Sequence, residues 1–178
     1  MTEVRSNKMR FVCLLFVLTA SIAGFANEAR ASSWRAATDT ELKALIPARA
    51  QVIQERIETE LRTASGITDG KGKYVASVVL ITAGYSAEGK YSHYFIAQVP
   101  VKVGDVQLNV GDYLIGWKHN EDSLTVNFYE AASGKFVGSV EAVKNPSITG
   151  VASFRIWPPG EKSLIQVGRF TFPYQVAK

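Results

Sequence analysis

Only one of the 178 residues is cysteine, Cys13, and it sits inside the apolar run that opens the chain. Beyond that run there is no thiol nucleophile, no thiolate for zinc or an iron–sulfur cluster, and no disulfide. Histidine is almost as scarce, with His93 and His119 alone. Two imidazoles without a thiolate fall short of the four ligands of structural zinc, so neither a metal site nor a cofactor is expected. No Lys/Arg cluster follows the opening segment, and without one there is nothing to track a phosphate backbone; nucleic acid is not an expected partner. The glycines of GITDGKGK, 66–73, lead from a helical pattern into a strand. A P-loop or dinucleotide fingerprint needs the reverse order, so no phosphate cradle is read there. After Gly66 no helical period is long enough to separate strands, which disfavours a parallel α/β sheet.

What the sequence does have begins at its start. MTEVRSNKMR carries Arg5, Lys8 and Arg10, and FVCLLFVLTASIAGFA, 11–26, carries no charge. At about 1.5 Å per residue that run spans about 24 Å as a helix, short of the roughly 30 Å hydrocarbon core. Ala29-Arg30-Ala31 follows with the small-x-small pattern a signal peptidase reads. Residues 1–31 therefore read as a secretory signal peptide, and the product as exported, periplasmic or secreted, touching membrane only during export. Retained, the same segment would be an anchor. A lipoprotein would need a cysteine at the cleavage point, and a pilin keeps its apolar run after the processing point. Cleavage after Ala31 removes four basic and two acidic residues, leaving sixteen and fourteen, a net charge near +2. The remaining 147 residues are enough for one core without disulfides, and a single β-rich domain over 32–178 is expected.

TDTELKALIPARAQVIQERIETELRTASG predicts a helix over 38–65. Thr38 and Glu41 fit a capping box, and Leu42, Leu45, Ile46, Val52, Ile53, Ile57, Leu61 and Ala64 recur at three- and four-residue spacing. Pro47 should kink it. From Lys73 the period changes to two, and strands are expected over 73–174. KYVASVVLITA reads as a central strand; YSHYFIAQVPVKV, SLTVNFYEA, KFVGSVEAV, SFRIW and LIQVGRFTF follow, with turns at the two VGD triplets. The fold class is mainly β (α+β), an antiparallel barrel or sandwich of about seven to eight strands with one N-terminal amphipathic helix.

The place to look for chemistry is YSHYFIAQV, 91–99. As a strand it puts Tyr91, His93, Phe95, Ala97 and Val99 on one face and Ser92, Tyr94, Ile96 and Gln98 on the other. Ser92 and His93 then point apart, and any Ser–His pair must come from elsewhere in the fold. His119, beside Asn120, Glu121 and Asp122, reads as part of a solvated loop. Asp105 and Asp112 read as turn residues. The aromatics are more informative: sixteen remain after residue 31, and a few lining an open barrel end would make an apolar pocket. Tyr91, His93, Tyr113 and Trp117 are the ligand-binding candidates, and no catalytic residue is assigned.

LNVGDYLIGW, with Leu108, Gly111, Tyr113 and Ile115, resembles the L-x-x-G-x-Y-x-[IV] strand-turn-strand motif of small, largely uncharacterised exported β-rich bacterial proteins. The resemblance implies an exported β domain and carries no activity and no site residue. The function expected is a non-catalytic binding module for a small apolar ligand or an envelope partner. The alternatives are a hydrolase whose polar site is assembled from separate strands, and a structural or assembly protein.

Overall fold

The capping box predicted at Thr38 is present. In the computed structural model, which describes residues 34–177, Thr38 Oγ1 accepts from the Glu41 N–H at 3.3 Å and the Glu41 carboxylate accepts from the Thr38 N–H at 2.8 Å. Arg35 pairs with the same carboxylate at 2.7 Å, and together these bonds hold the Glu41 carboxyl down at about 2. The helix they start, α1 (Asp39–Leu45), lasts only seven residues. Pro47 ends it, because the residue before a proline is pushed out of the helical region. Ile46 duly turns extended, at φ −84° and ψ 125°. Thr38→Ala should cost about 1 kcal/mol, read as a lower urea midpoint at unchanged m.

The helix expected over 38–65 is thus corrected: only its first turns form, and the rest is sheet. β1 (Arg35–Ala36) precedes α1, and β2 (Arg49–Val52) and β3 (Glu55–Thr68) follow. In β3 the residues Arg56, Glu58 and Ile57 alternate, exposed on either side of a wholly buried isoleucine. That period of two is hidden because β3 bulges, its pairing with the next strand shifting between Glu60 and Ser65. The bulge restores a helix-like spacing to Ile57, Leu61 and Ala64, and tertiary pairing overrides the helix preference of Glu, Arg and Leu.

The chain continues through β4 (Tyr74–Leu80), β5 (His93–Ala97), β6 (Val101–Val103), β7 (Val106–Leu108), β8 (Gly111–His119), β9 (Ser123–Glu130), β10 (Phe136–Lys144), β11 (Ala152–Ile156), β12 (Leu164–Gly168) and β13 (Phe170–Val176). There are thirteen strands among the described residues rather than seven or eight. The surplus comes from the replaced helix and from breaks inside expected strands. Pro100 separates β5 from β6, Gly104 (φ 56°) turns β6 into β7, and Gly168 (φ 61°) turns β12 into β13. The first VGD triplet is therefore a hairpin turn, while the second enters β8 at Gly111.

All pairings are antiparallel, and ten strands form one path, β1-β3-β4-β5-β8-β9-β10-β13-β12-β11. The path curls until its ends approach, with the Ile156 N–H of β11 donating to Ser65 Oγ of β3 at 3.0 Å. The result is a nearly closed, barrel-like sheet. Its interior holds Phe95, Phe128, Phe172, Tyr174, Leu108, Ile115 and Ile165, all essentially inaccessible to solvent. Phe128 meets Phe95 and Phe172 edge to face at 6.3 and 6.4 Å. A second core lies on the outer face of β4, β5 and β8, where Ala76, Val78, Leu80, Tyr94, Ile96 and Leu114 are covered by Leu42, Val52, Ile57, Ala87 and Tyr91. β5 is consequently buried on both faces. The predicted signal segment, 1–31, lies outside the described residues.

Candidate functional site

The structure separates the four residues picked from the sequence. Tyr113 belongs to the interior core with Trp117 packed against it, and His93 is buried beside that core, whereas Tyr91 precedes β5 and belongs to the outer core. Tyr113 donates its hydroxyl to the Asn109 carbonyl at 2.9 Å, a bond that ties off the entry to β8. His93 lies between Trp117 and Phe154, each ring centroid at 5.1 Å. The serine that reaches it is Ser153 of β11, with Oγ 3.4 Å from Nε2, while Ser92 donates to the Ile115 carbonyl instead. A Ser–His pair does therefore come from separate strands, but it is not built as a nucleophile and its base. Nδ1 is buried without a partner among the described residues to orient the ring. Burial also lowers the imidazole pKa to about 4, too weak a base near neutrality.

His119 does not join it. His93 sits opposite Ile115 and His119 opposite Leu124, so the two stand about 13 Å apart along the sheet at about 3.3 Å per residue. Among the described residues, no group of three or more His, Cys, Asp or Glu could hold a metal ion.

The polar convergence lies outside the barrel. β2 and β3 are joined by a two-residue turn, Ile53-Gln54, and Ile53 has φ 58°. A type II′ hairpin asks this of its first central residue and usually gets glycine; a β-branched residue there is strained by about 1–3 kcal/mol. The turn is held in place by its own backbone, with the Ile53 N–H donating to the Ala131 carbonyl at 2.7 Å. Facing it is the segment 81–92 between β4 and β5. That segment is pinned by Arg49 donating to the Tyr85 hydroxyl at 2.9 Å and by the Ser86 N–H and Oγ, which both donate to Glu55 Oε1.

Between turn and segment opens a cleft of about 310 Å³, lined by Val52, Ile53, Gln54, Glu55, Ser86, Ala87, Lys90 and Tyr91. This is at the small end of the roughly 300–1,000 Å³ typical of ligand sites. Lys90 Nζ stands over the Tyr91 ring at 5.0 Å and the Tyr129 ring at 5.5 Å. Interaction with the Tyr91 side chain is the main cause of a raised Lys90 pKa, yet among the described residues Tyr91 Oη has no partner in hydrogen-bond geometry. Tyr91 is only 2% exposed. Its hydroxyl lies beside Gly134, where a Cβ would be 3.2 Å from that oxygen and 2.7 Å from Ile53 Cδ1. A buried hydroxyl without a partner costs about 1–3 kcal/mol, so the wall of this cleft carries both a strained backbone and an unmet polar group.

A second hollow, about 130 Å³, lies at the barrel seam near Ser65 and Arg155. It is smaller than the clefts that hold organic ligands. Nearby, Trp157 is flanked by the Arg155 guanidinium at 3.7 Å and Lys162 Nζ at 4.3 Å.

Set against family models, curated proteins and solved structures, the chain matches none. The site must speak for itself.

Of the cleft residues, the sequence picked out only Tyr91. The helix expected over 38–65 takes in Glu55, and Ser86 and Lys90 lie between the expected strands. The signal that could have found Glu55 is the alternation in RIETE, 56–60, which marks a half-buried strand and moves its preceding residue to a hairpin mouth.

Proposed function

We propose that the protein is an exported, non-catalytic binding module of the cell envelope, whose small ligand docks in the outer cleft rather than inside the barrel. The observation that carries this reading is that Tyr91, whose buried hydroxyl is unpaired among the described residues, and the strained Ile53 turn line one concavity. Native chains hold such costs where the surrounding structure fixes them for binding. The aromatics that would line an open barrel pocket support the same reading from the other side, since Phe95, Phe128, Phe172 and Tyr174 are wholly buried against the core. Export rests on residues 1–31, and the purified product should have a mass beginning at Ser32.

The test is saturation-transfer NMR with three probes, leucine, octanoate and octylamine, on wild type and on Ala87→Trp. Ala87 is buried in the cleft lining, and an indole there fills the space. At least one probe should receive saturation from wild type, at least tenfold less from the variant. No transfer from wild type, or equal transfer from both proteins, contradicts the reading.

A hydrolytic reading is favoured by one observation, the Ser86 hydroxyl bonded to the Glu55 carboxylate. Both Ser86 donors end on that carboxylate, however, which is how a side chain anchors a turn. Ser86→Ala separates the two readings: a hydrolase loses turnover, whereas a binding module keeps its ligand.

A further inference from the structure

The cleft carries one fixed negative and one positive charge that do not neutralise each other. Glu55 and Lys90 both line it, and no ion pair joins them among the described residues. Glu55 is held from one side only: both Ser86 donors end on Oε1, and Oε2 takes no hydrogen bond from the described residues. Lys90 is exposed and stands over two aromatic rings, and because a ring face offers no lone pair its ammonium keeps donors for a ligand. Beside the two charges the lining includes the apolar Val52, Ile53 and Ala87, with the Tyr91 side chain at the wall.

From this arrangement we infer that the cleft takes a small zwitterion with an apolar side chain, an α-amino acid of the leucine kind. Its ammonium meets Glu55 Oε2, its carboxylate meets Lys90, and its side chain lies on Val52, Ile53 and Ala87. A purely apolar ligand would offer neither charge a partner, and a singly charged one would leave one of them without a partner. A zwitterion offers a partner to both. This inference rests on the reading of the cleft as a binding site.

The experiment is calorimetric titration of the whole protein with leucine, with leucine methyl ester, which lacks the carboxylate, and with N-acetyl-leucine, which lacks the ammonium. Each analogue should bind about tenfold or more weakly than leucine, the loss of one charge-assisted contact. Glu55→Gln should weaken leucine about tenfold and leave N-acetyl-leucine unchanged; Lys90→Met should weaken leucine equally and leave the methyl ester unchanged. Because the analogue series uses wild type, it stands whether or not the variants fold. If either analogue binds as well as leucine, or octanoate or octylamine occupies the cleft while leucine does not, the zwitterion is wrong and the cleft survives as a site. If none of these probes gives heat or saturation transfer that Ala87→Trp abolishes, both fall.

Discussion

Gly116→Ala is expected to destabilise the protein by about 3 kcal/mol or more, at the upper end for a single added methyl. The reason is the seat it provides for the segment 81–92. Gly116 lies on the outer face of β8, and a Cβ there would fall 2.2 Å from the Lys90 carbonyl oxygen and 3.4 Å from its carbon. Both are backbone atoms, so no rotamer can yield. The segment must lift from the sheet, and the neighbouring Ser92 N–H to Ile115 carbonyl bond of 2.8 Å goes with it. Lys90 and Tyr91 move too, so binding at the cleft should be lost even where the variant still folds. Gly150→Ala is the control. Among the described residues nothing lies within 4 Å of its added Cβ, and a change within about 0.5 kcal/mol is expected. Urea midpoints of the two variants read the difference directly; equal midpoints would mean that the segment does not rest on β8 as described.

The second large effect is acid destabilisation through His93. In the unfolded chain this imidazole titrates near 6.5, whereas burial lowers its pKa in the fold to about 4. Between those values the unfolded state binds a proton that the folded state refuses, so stability falls as pH falls from about 6.5 to 4. A shift of that size corresponds to about 3 kcal/mol at the bottom of the window, at about 1.4 kcal/mol per unit. Its surroundings offer no relief, being Trp117, Phe154 and the Ser153 hydroxyl. The exposed pairs act elsewhere. Arg35 holds Glu41 at about 2 and Arg62 holds Glu60 at about 2, so what those carboxylates contribute is present above about 4.5 and lost only as pH falls towards 2. His93→Phe removes the titrating group and the orphaned Nδ1 together while keeping an aromatic between Trp117 and Phe154. That variant should match wild type at pH 7 and exceed it at pH 4.5. A wild-type urea midpoint that stays flat from pH 7 to 4.5 would show that His93 is not buried neutral.

Some of this was legible in the sequence and some was not, for identifiable reasons. The alternation in HYFIA, 93–97, predicts His93, Phe95 and Ala97 on one face and Tyr94 and Ile96 on the other. The structure puts Phe95 and Ala97 in the interior core with His93 buried beside it, and the second set in the outer one. What the alternation could not say is that both faces are covered, because the cover comes from β2, β3 and 81–92, whose own pattern is disguised. The capping box correctly marks the start of a helix, and Pro47 marks its end rather than a kink. Past Pro47 the bulge in β3 gave sheet residues a helical spacing, which hid the hairpin carrying Ile53 and Glu55. Tyr91 was singled out for its company with His93, yet a loop residue does not keep the strand's alternation, and the two lie at different cores. The cleft depends on the Ile53 dihedral and on which carboxylate oxygen Ser86 takes. Neither has a signature in residue order.

On the proposed reading, ligand meets the outside of the barrel wall and not its interior. Backbone amide chemical-shift mapping with leucine, on the isotope-labelled protein, tests this most directly. Saturable shifts confined to residues 52–55 and 86–91 are expected, with His93, Tyr113, Trp117 and Phe154 unmoved. Shifts centred on those four interior residues instead, or none anywhere at saturating leucine, would contradict it.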